Sequence, residues 1–173
     1  SSLFYSEILL ISKENNFYIP QLYEVLNILP NNRFINIEIK SMKIFGTKIE
    51  TKILELLQSY NIIDRTIISS FNPWSLRRIK KICPQILIAL LWTNNNSPVL
   101  INTPLWSWIC KPDGFHIDID CLDVKIIHWV KSKKMTTLSY TVNNMGDFLL
   151  AKKMGLDGIF TDNPYLLLND TTN

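Results

Sequence analysis

Short apolar and β-branched runs alternate along the chain with longer stretches whose apolar positions recur at helical spacing. The runs predict six strands: Phe34–Lys40, Thr66–Ser70, Ile86–Trp92, Phe115–Ile117, Thr137–Val142 and Ile159–Thr161. Between them, helices are predicted over Ile49–Tyr60, Pro73–Ile82, Cys121–Lys133 and Asn144–Met154. In the first, Ile49, Ile53, Leu56 and Leu57 share a face. Pro73 suits a first helical turn, Asn144 a cap, and Gly155 the stop after a helix. Pro164 opens a last short helix. Residues 93–112 read as irregular or partly helical, with a turn at Asn94-Asn95-Asn96, before Asp113-Gly114 leads into the fourth strand.

Several strands are apolar on both faces, which suits a parallel sheet covered by helices. Six such strands with right-handed crossovers fit an open doubly wound sheet or most of a barrel. The 173 residues suffice for one domain. A complete eight-stranded βα barrel usually needs about 250. There is no Gly-x-Gly-x-x-Gly and no phosphate-cradling loop, which weakens the nucleotide-binding version.

One strand departs from the apolar pattern. Ile35, Ile37 and Ile39 fall on one face, and Asn36, Glu38 and Lys40 on the other. In a covered parallel sheet, three polar residues pointing one way need partners. At the C-terminal end of a barrel strand they would face the mouth, where catalytic groups collect. A carboxylate there can hold a hard cation, and a lysine two residues on can offset phosphate charge. A structural ion pair explains the same spacing equally well.

Composition adds bounds. The chain is 47% hydrophobic, 11% aromatic and 19% charged, an ordinary globular balance. The net charge of +3 is spread out, with small clusters at Arg77-Arg78, Lys80-Lys81 and Lys131 to Lys134 that read as solvated helix faces. No basic stripe dense enough for nucleic acid is present. No apolar run reaches the ~20 residues of a membrane span. Three widely spaced cysteines without a CxxC predict reduced thiols and favour the cytoplasm. Any targeting segment is expected upstream of Ser1.

Ile19-Pro20-Gln21-Leu22-Tyr23-Glu24-Val25-Leu26, followed by Asn36-Ile37-Glu38-Ile39-Lys40, resembles the middle of a glycerophosphodiester phosphodiesterase. Three later segments resemble that family's motifs in the same order. They are Ile68-Ser69-Ser70-Phe71, Tyr140-Thr141-Val142-Asn143, and Gly155-Leu156-Asp157-Gly158-Ile159-Phe160-Thr161-Asp162-Asn163-Pro164. The resemblance implies a TIM-type (β/α) barrel and a divalent cation, Mg or Ca. It also implies two histidines as general acid and base. Glu38 is then a metal ligand and Lys40 stabilises phosphate charge. Phe71, His116 and Tyr140 are expected to meet the substrate, with Tyr140 standing where the family usually has tryptophan.

The family's histidine-arginine-glycine, glutamate-x-aspartate and histidine-aspartate motifs have no counterpart in these residues. Ser1 to Glu14 correspond to the segment just after them. The chain is therefore expected to be α/β, an incomplete parallel barrel holding strands three to eight of eight, with pairing through its open edges. The implied reaction is metal-dependent hydrolysis of a small glycerophosphodiester to glycerol 3-phosphate and an alcohol, within lipid metabolism, with these residues inactive alone. Two alternatives stand beside it: a non-catalytic remnant or binding module of the same fold, and a lipid phosphodiesterase of the sphingomyelinase D type.

Other candidates have simpler explanations. His128 reads as a surface position on a helix, and His116 as a satisfied structural histidine near the mouth. Asp113, Asp118 and Asp120 have metal-ligand spacing but read as helix-capping aspartates. Asp162 reads as a rim residue. Val99 to Cys110 is apolar for a loop, and burial against the barrel helices explains it better than contact with lipid.

Overall fold

The computed structural model describes residues 4–41, 43–45, 48–94 and 106–167. The chain divides into two compact units, Ser1–Arg33 and Phe34–Asn173. The first holds helices α1 (Tyr5–Glu14) and α2 (Leu22–Ile28). The Ile-Pro-x-Leu-x-Glu phrase starts α2, and its glutamate has a local task. Glu24 accepts a 2.6 Å bond from the backbone N–H of Gln21, satisfying a donor at the helix start.

The second unit is a six-stranded, wholly parallel sheet in sequence order. Its strands are β1 (Ile35–Glu38), β2 (Thr66–Ser70), β3 (Leu87–Trp92), β4 (Gly114–Asp118), β5 (Thr136–Tyr140) and β6 (Gly158–Ile159). Helices α3 (Ile49–Ser59), α4 (Pro73–Ile82), α5 (Ser107–Cys110), α6 (Val124–Ser132) and α7 (Met145–Lys153) connect them. The sheet curls. In a flat sheet the ends of β2 and β5 would lie about 14 Å apart, three strand spacings. Instead Phe71, just past β2, meets Tyr140 of β5 edge to face with ring centroids 6.2 Å apart. His116 of β4 likewise meets Phe160, just past β6, at 5.0 Å. The result is the expected incomplete barrel, with β1 and β6 as the terminal strands of the sheet.

Alternation sorts the strand residues onto two faces. Ile68, Ile88, Leu90, Phe115 and Ile117 are buried on the convex face under the helices. There the Phe115 ring meets Trp129 of α6 at 5.6 Å. Asn36, Glu38, Ser69, Ala89, Gly114, His116 and Tyr140 share the concave face by register.

The N-terminal edge of the sheet is fastened by one device used twice. Asp113 donates its N–H to Ile88 O at 2.9 Å and accepts from Ile88 N at 2.9 Å. Asp157 does the same with Thr137, at 2.8 and 2.7 Å. Each is followed by a glycine, and Gly114 lets adjacent strands close up. A Cβ on Gly114 would stand 2.8 Å from Thr136 Oγ1.

Most element boundaries follow the pattern. Asn72 and Pro73 start α4, and the Asn72 side chain accepts from Trp74 N. Asn144 caps α7, and Gly155 follows it at φ +67°. Several boundaries shift, among them the end of β5, which stops at Tyr140 instead of Val142. The α6 helix begins at Val124, not Cys121, because Asp123 caps it through Lys125 N at 2.6 Å. Residues Ile119–Cys121 form a separate 3-10 turn. β1 ends at Glu38, although Ile39 N still reaches Ser69 O at 2.8 Å. β6 is Gly158–Ile159, because Thr161 and Asp162 turn instead to the Asn143 side chain.

The basic clusters are only partly solvated, which corrects the reading of them as solvated faces. Arg77 and Lys81 are exposed, but Arg78 pairs with Glu50 at 2.6 Å and Lys80 with Asp113 at 2.9 Å. Cys83 and Cys110 are buried and Cys121 half-buried, all as free thiols. Burial pushes the Cys110 thiol up to about 12, leaving it unreactive. Within Val99–Cys110 the described part is mixed: Ile109 and Cys110 are buried and Trp108 is exposed. Residues 95–105, including most of the predicted Asn94-Asn95-Asn96 turn, lie outside the described residues. Among the described residues no helix is long and apolar enough to cross a membrane.

Candidate functional site at the C-terminal end of the sheet

The C-terminal ends of the six strands form a mouth, the place where a βα barrel carries its chemistry. Glu38 closes β1 on the concave face. Below it, Asn36 donates from Nδ2 to Ser69 Oγ at 3.0 Å. Lys40 follows, its Nζ 3.9 Å from Glu38 Oε2. The two side chains are 81% and 32% exposed, respectively. A solvated pair at that distance contributes at most about 1 kcal/mol, so stability does not explain the charges. Glu38 and Lys40 thus form a loose ion pair at the solvent-facing end of the strand.

The backbone carrying them is held firmly. Ser70 Oγ donates to Ile39 O at 2.7 Å, and Asn72 N–H donates to Ser70 Oγ at 3.1 Å. The Asn72 amide reaches Ser41 O and Lys43 O at 2.8 and 2.9 Å. Arg78 Nη1 donates to Ile44 O at 2.6 Å, while its Nε and Nη2 hold Glu50. Glu50 is 1% exposed and also accepts from Ser75 Oγ at 2.8 Å. Ser70 therefore holds the backbone before Lys40, while Asn72, Arg78 and Glu50 hold the backbone after it. None of the three was singled out for this in the sequence. The visible signal was Asn72 before a helix-starting proline.

The opposite wall is aromatic. Phe71 and Tyr140 meet edge to face, and Tyr140 Oη donates to Trp92 O at 2.9 Å. Burial pushes the pKa of this phenol well above its ordinary value, and the negative charges of Asp118 and Glu38 add to the effect. Tyr140 is thus a neutral wall and hydrogen-bond donor. The Phe71–Tyr140 contact brings the ends of β2 and β5 together at the mouth.

Asp118 ends β4, accepting from Thr93 Oγ1 at 2.7 Å and from Asp120 N at 3.2 Å. It caps the 3-10 turn and not α6. Asp113 begins the same strand, about 16 Å away along it, so the two cannot share an ion. Asp162 exchanges hydrogen bonds with Asn143, at 2.9 Å from Asn143 Nδ2 and 2.8 Å to Asn143 Oδ1. It is a rim residue, and the two motifs that hold Asn143 and Asp162 lock together.

The histidines stand apart from the mouth surface. His116 is 1% exposed, and its Nδ1 has no hydrogen-bond partner among the described residues. It is therefore not the satisfied histidine expected. Its strand neighbours in register are Leu91 and Leu138, which offer no polar side-chain atom. Desolvation pushes it down to about 4, so it is neutral at pH 7. His128 is exposed on α6. Among the described residues no three His, Cys, Asp or Glu side chains converge on a point where a metal could be held. Glu38 is a single carboxylate donor, and the described residues do not by themselves fit a resident metal ion.

Comparison with known proteins agrees with this architecture. A glycerophosphodiester phosphodiesterase of Caldanaerobacter subterraneus subsp. tengcongensis is 32% identical over 154 residues, covering 87% of this chain and 61% of the relative. One from Bacillus altitudinis is 29% identical over 150 residues, covering 84% and 60%. The chain thus spans about three-fifths of the length of the curated relatives it matches. Among solved structures, a Thermotoga maritima glycerophosphodiester phosphodiesterase superposes with a TM-score of 0.71 at 20% identity, covering 92% of this chain and 67% of the other. An Oleispira antarctica phosphodiesterase, solved with its product sn-glycerol-3-phosphate, gives 0.67 at 22% identity, with coverages of 81% and 56%. These likenesses establish the barrel fold. With the family model for glycerophosphoryl diester phosphodiesterases matching residues 6–166, the chain belongs to that family.

Proposed function

We propose that this chain supplies one side of a phosphodiesterase site for small glycerophosphodiesters. The observation that carries the reading is the loosely paired, solvent-facing Glu38 and Lys40, clamped on a rigid strand end opposite the Phe71–Tyr140 wall. Lys40 is assigned to the phosphoryl oxygens as a point charge. Phe71 and Tyr140 are assigned to the flank of the glycerol carbons. His116 is assigned no substrate contact, since it is closed off from the mouth. Glu38 is assigned as one oxygen donor to Mg or Ca. Water, substrate or residues beyond those described supply the rest. Among the described residues β1 is hydrogen-bonded to β2 alone, so a strand added at its other edge would arrive beside Glu38. Support for the substrate class comes from the family and from the glycerol phosphate bound to the Oleispira relative.

Acid–base catalysis needs a titrating group within reach of the mouth. The chain has two histidines, one buried below the mouth and one on the outer helix α6. We therefore expect no hydrolysis of glycerophosphocholine by these 173 residues alone, with Mg or Ca present. A coupled assay for released glycerol 3-phosphate checks this. Turnover that disappears in Glu38→Gln would show the site to be self-sufficient and overturn the half-site reading.

A further inference from the structure

At the end of the sheet opposite the mouth, α4 and α5 form a second surface that the phosphodiesterase reading does not use. The α4 helix runs back from the C-terminal end of β2 and finishes at Lys80, Lys81 and Ile82 before β3 begins. The short α5 lies beside it and ends in Lys111, before β4 begins. Arg77, Lys80, Lys81, Trp108 and Lys111 line one shallow groove between them.

The chemistry of this groove is one-sided. Arg77, Lys81 and Lys111 are exposed, and none has a carboxylate in ion-pair range among the described residues. The acid nearby, Asp113, is already held by Lys80 at 2.9 Å. Trp108 in the groove is 69% exposed, and Ile82, which follows Lys81 at the end of α4, is 54% exposed. Large apolar groups left in solvent mark a contact surface when they cluster. Trp108 also brings an indole N–H, the amphipathic ring that favours the boundary between lipid and water.

We propose that this basic, tryptophan-bearing surface docks on an anionic phospholipid membrane. A free phosphate would meet the cations but leave Trp108 and Ile82 in water. A bilayer with negative headgroups takes both, the charges at the surface and the apolar side chains just beneath it. The geometry has a consequence for the site. The docking surface is at the N-terminal edge of the strands, so the bound molecule keeps its mouth turned to the water. Lys40, 81% exposed, stays accessible.

The test is co-sedimentation with vesicles of phosphatidylcholine containing about one-third phosphatidylglycerol, at low salt. The chain is expected to bind these and not pure phosphatidylcholine. Lys81→Glu with Lys111→Glu should weaken binding at least about 25-fold, roughly fivefold for each charge removed. Trp108→Ala should lower the share of binding that survives added salt, because apolar insertion is not screened. Lys48→Glu with Lys125→Glu changes the charge equally at the mouth end, where α3 and α6 begin. It should leave binding within about threefold if docking is local, since screening confines each charge to its own surface. Amine acylation on vesicles should protect Lys81 and Lys111 and still modify Lys40. No binding to the anionic vesicles, equal losses in the two double variants, or protection of Lys40 would each overturn the proposal.

Discussion

Replacing Arg78 with alanine is expected to lower the unfolding free energy by about 3–5 kcal/mol. Its guanidinium lies 2.6 Å from the Glu50 carboxylate, which is almost completely buried. Removing the arginine takes its charge away from a carboxylate held in low dielectric, which Ser75 Oγ still meets at 2.8 Å. The desolvation cost is then no longer offset. Glu50→Gln should cost a similar amount, because Arg78 keeps its charge and loses its partner. Lys81→Ala, three residues along α4 and fully solvated, should change stability by no more than about 0.5 kcal/mol. Urea unfolding of the three variants measures this. The loss should be felt at the site as well. Arg78 also holds Ile44 O, so amide exchange in residues 43–45 should quicken in Arg78→Ala before global unfolding does. Equal stability in Arg78→Ala and Lys81→Ala would show the buried pair to be dispensable.

The second large effect is a pH dependence carried by His116. Burial displaces this imidazole from its ordinary 6.5 to about 4 in the folded chain. Below pH 6.5 the unfolded chain takes up a proton that the folded chain refuses. The stabilisation is therefore fully present above about pH 6.5 and is lost as pH falls toward 4, where the folded form protonates too. The shift corresponds to at most about 3 kcal/mol. Carboxylates also titrate on the acid side, so the comparison must be with a variant. His116→Leu places a similar volume between Leu91 and Leu138 and removes the titrating group. Between pH 7 and 4, the parent should lose up to about 3 kcal/mol more than this variant. Parallel stability curves would mean that His116 reaches solvent or finds a partner.

Much of this was legible in the sequence, and the failures have physical causes. The period-two pattern of Asn36, Glu38 and Lys40 placed three polar residues on one face, and the concave face of β1 is where the register puts Glu38. It could not show where β1 ends, because the alternation continues through Ile39 and Lys40 after strand pairing stops. Adjacent Arg77 and Arg78 look alike in a sequence. One is solvated and the other is half of a buried pair, since its partner lies 28 residues away on a different helix. Local patterning carries no record of such a contact. The two Asp-Gly steps, Asp113-Gly114 and Asp157-Gly158, read as the lead into a strand and as part of a motif. Their shared role in fastening neighbouring strands appears only with the register. His116 shows the reverse case. Alternation in Phe115-His116-Ile117 already set it opposite the buried Phe115 and Ile117. Its lack of a partner depends on the leucines that flank it from β3 and β5.

The proposed binding surface for a glycerol phosphate is the mouth of the half-barrel. It is tested most directly by titrating the chain with sn-glycerol 3-phosphate and following backbone and side-chain resonances by NMR. Perturbations are predicted at Lys40, Phe71 and Tyr140, with none at His128 on α6, and they should vanish in Lys40→Met. Perturbations that avoid the ends of β1, β2 and β5, or that persist unchanged in Lys40→Met, would contradict the assignment.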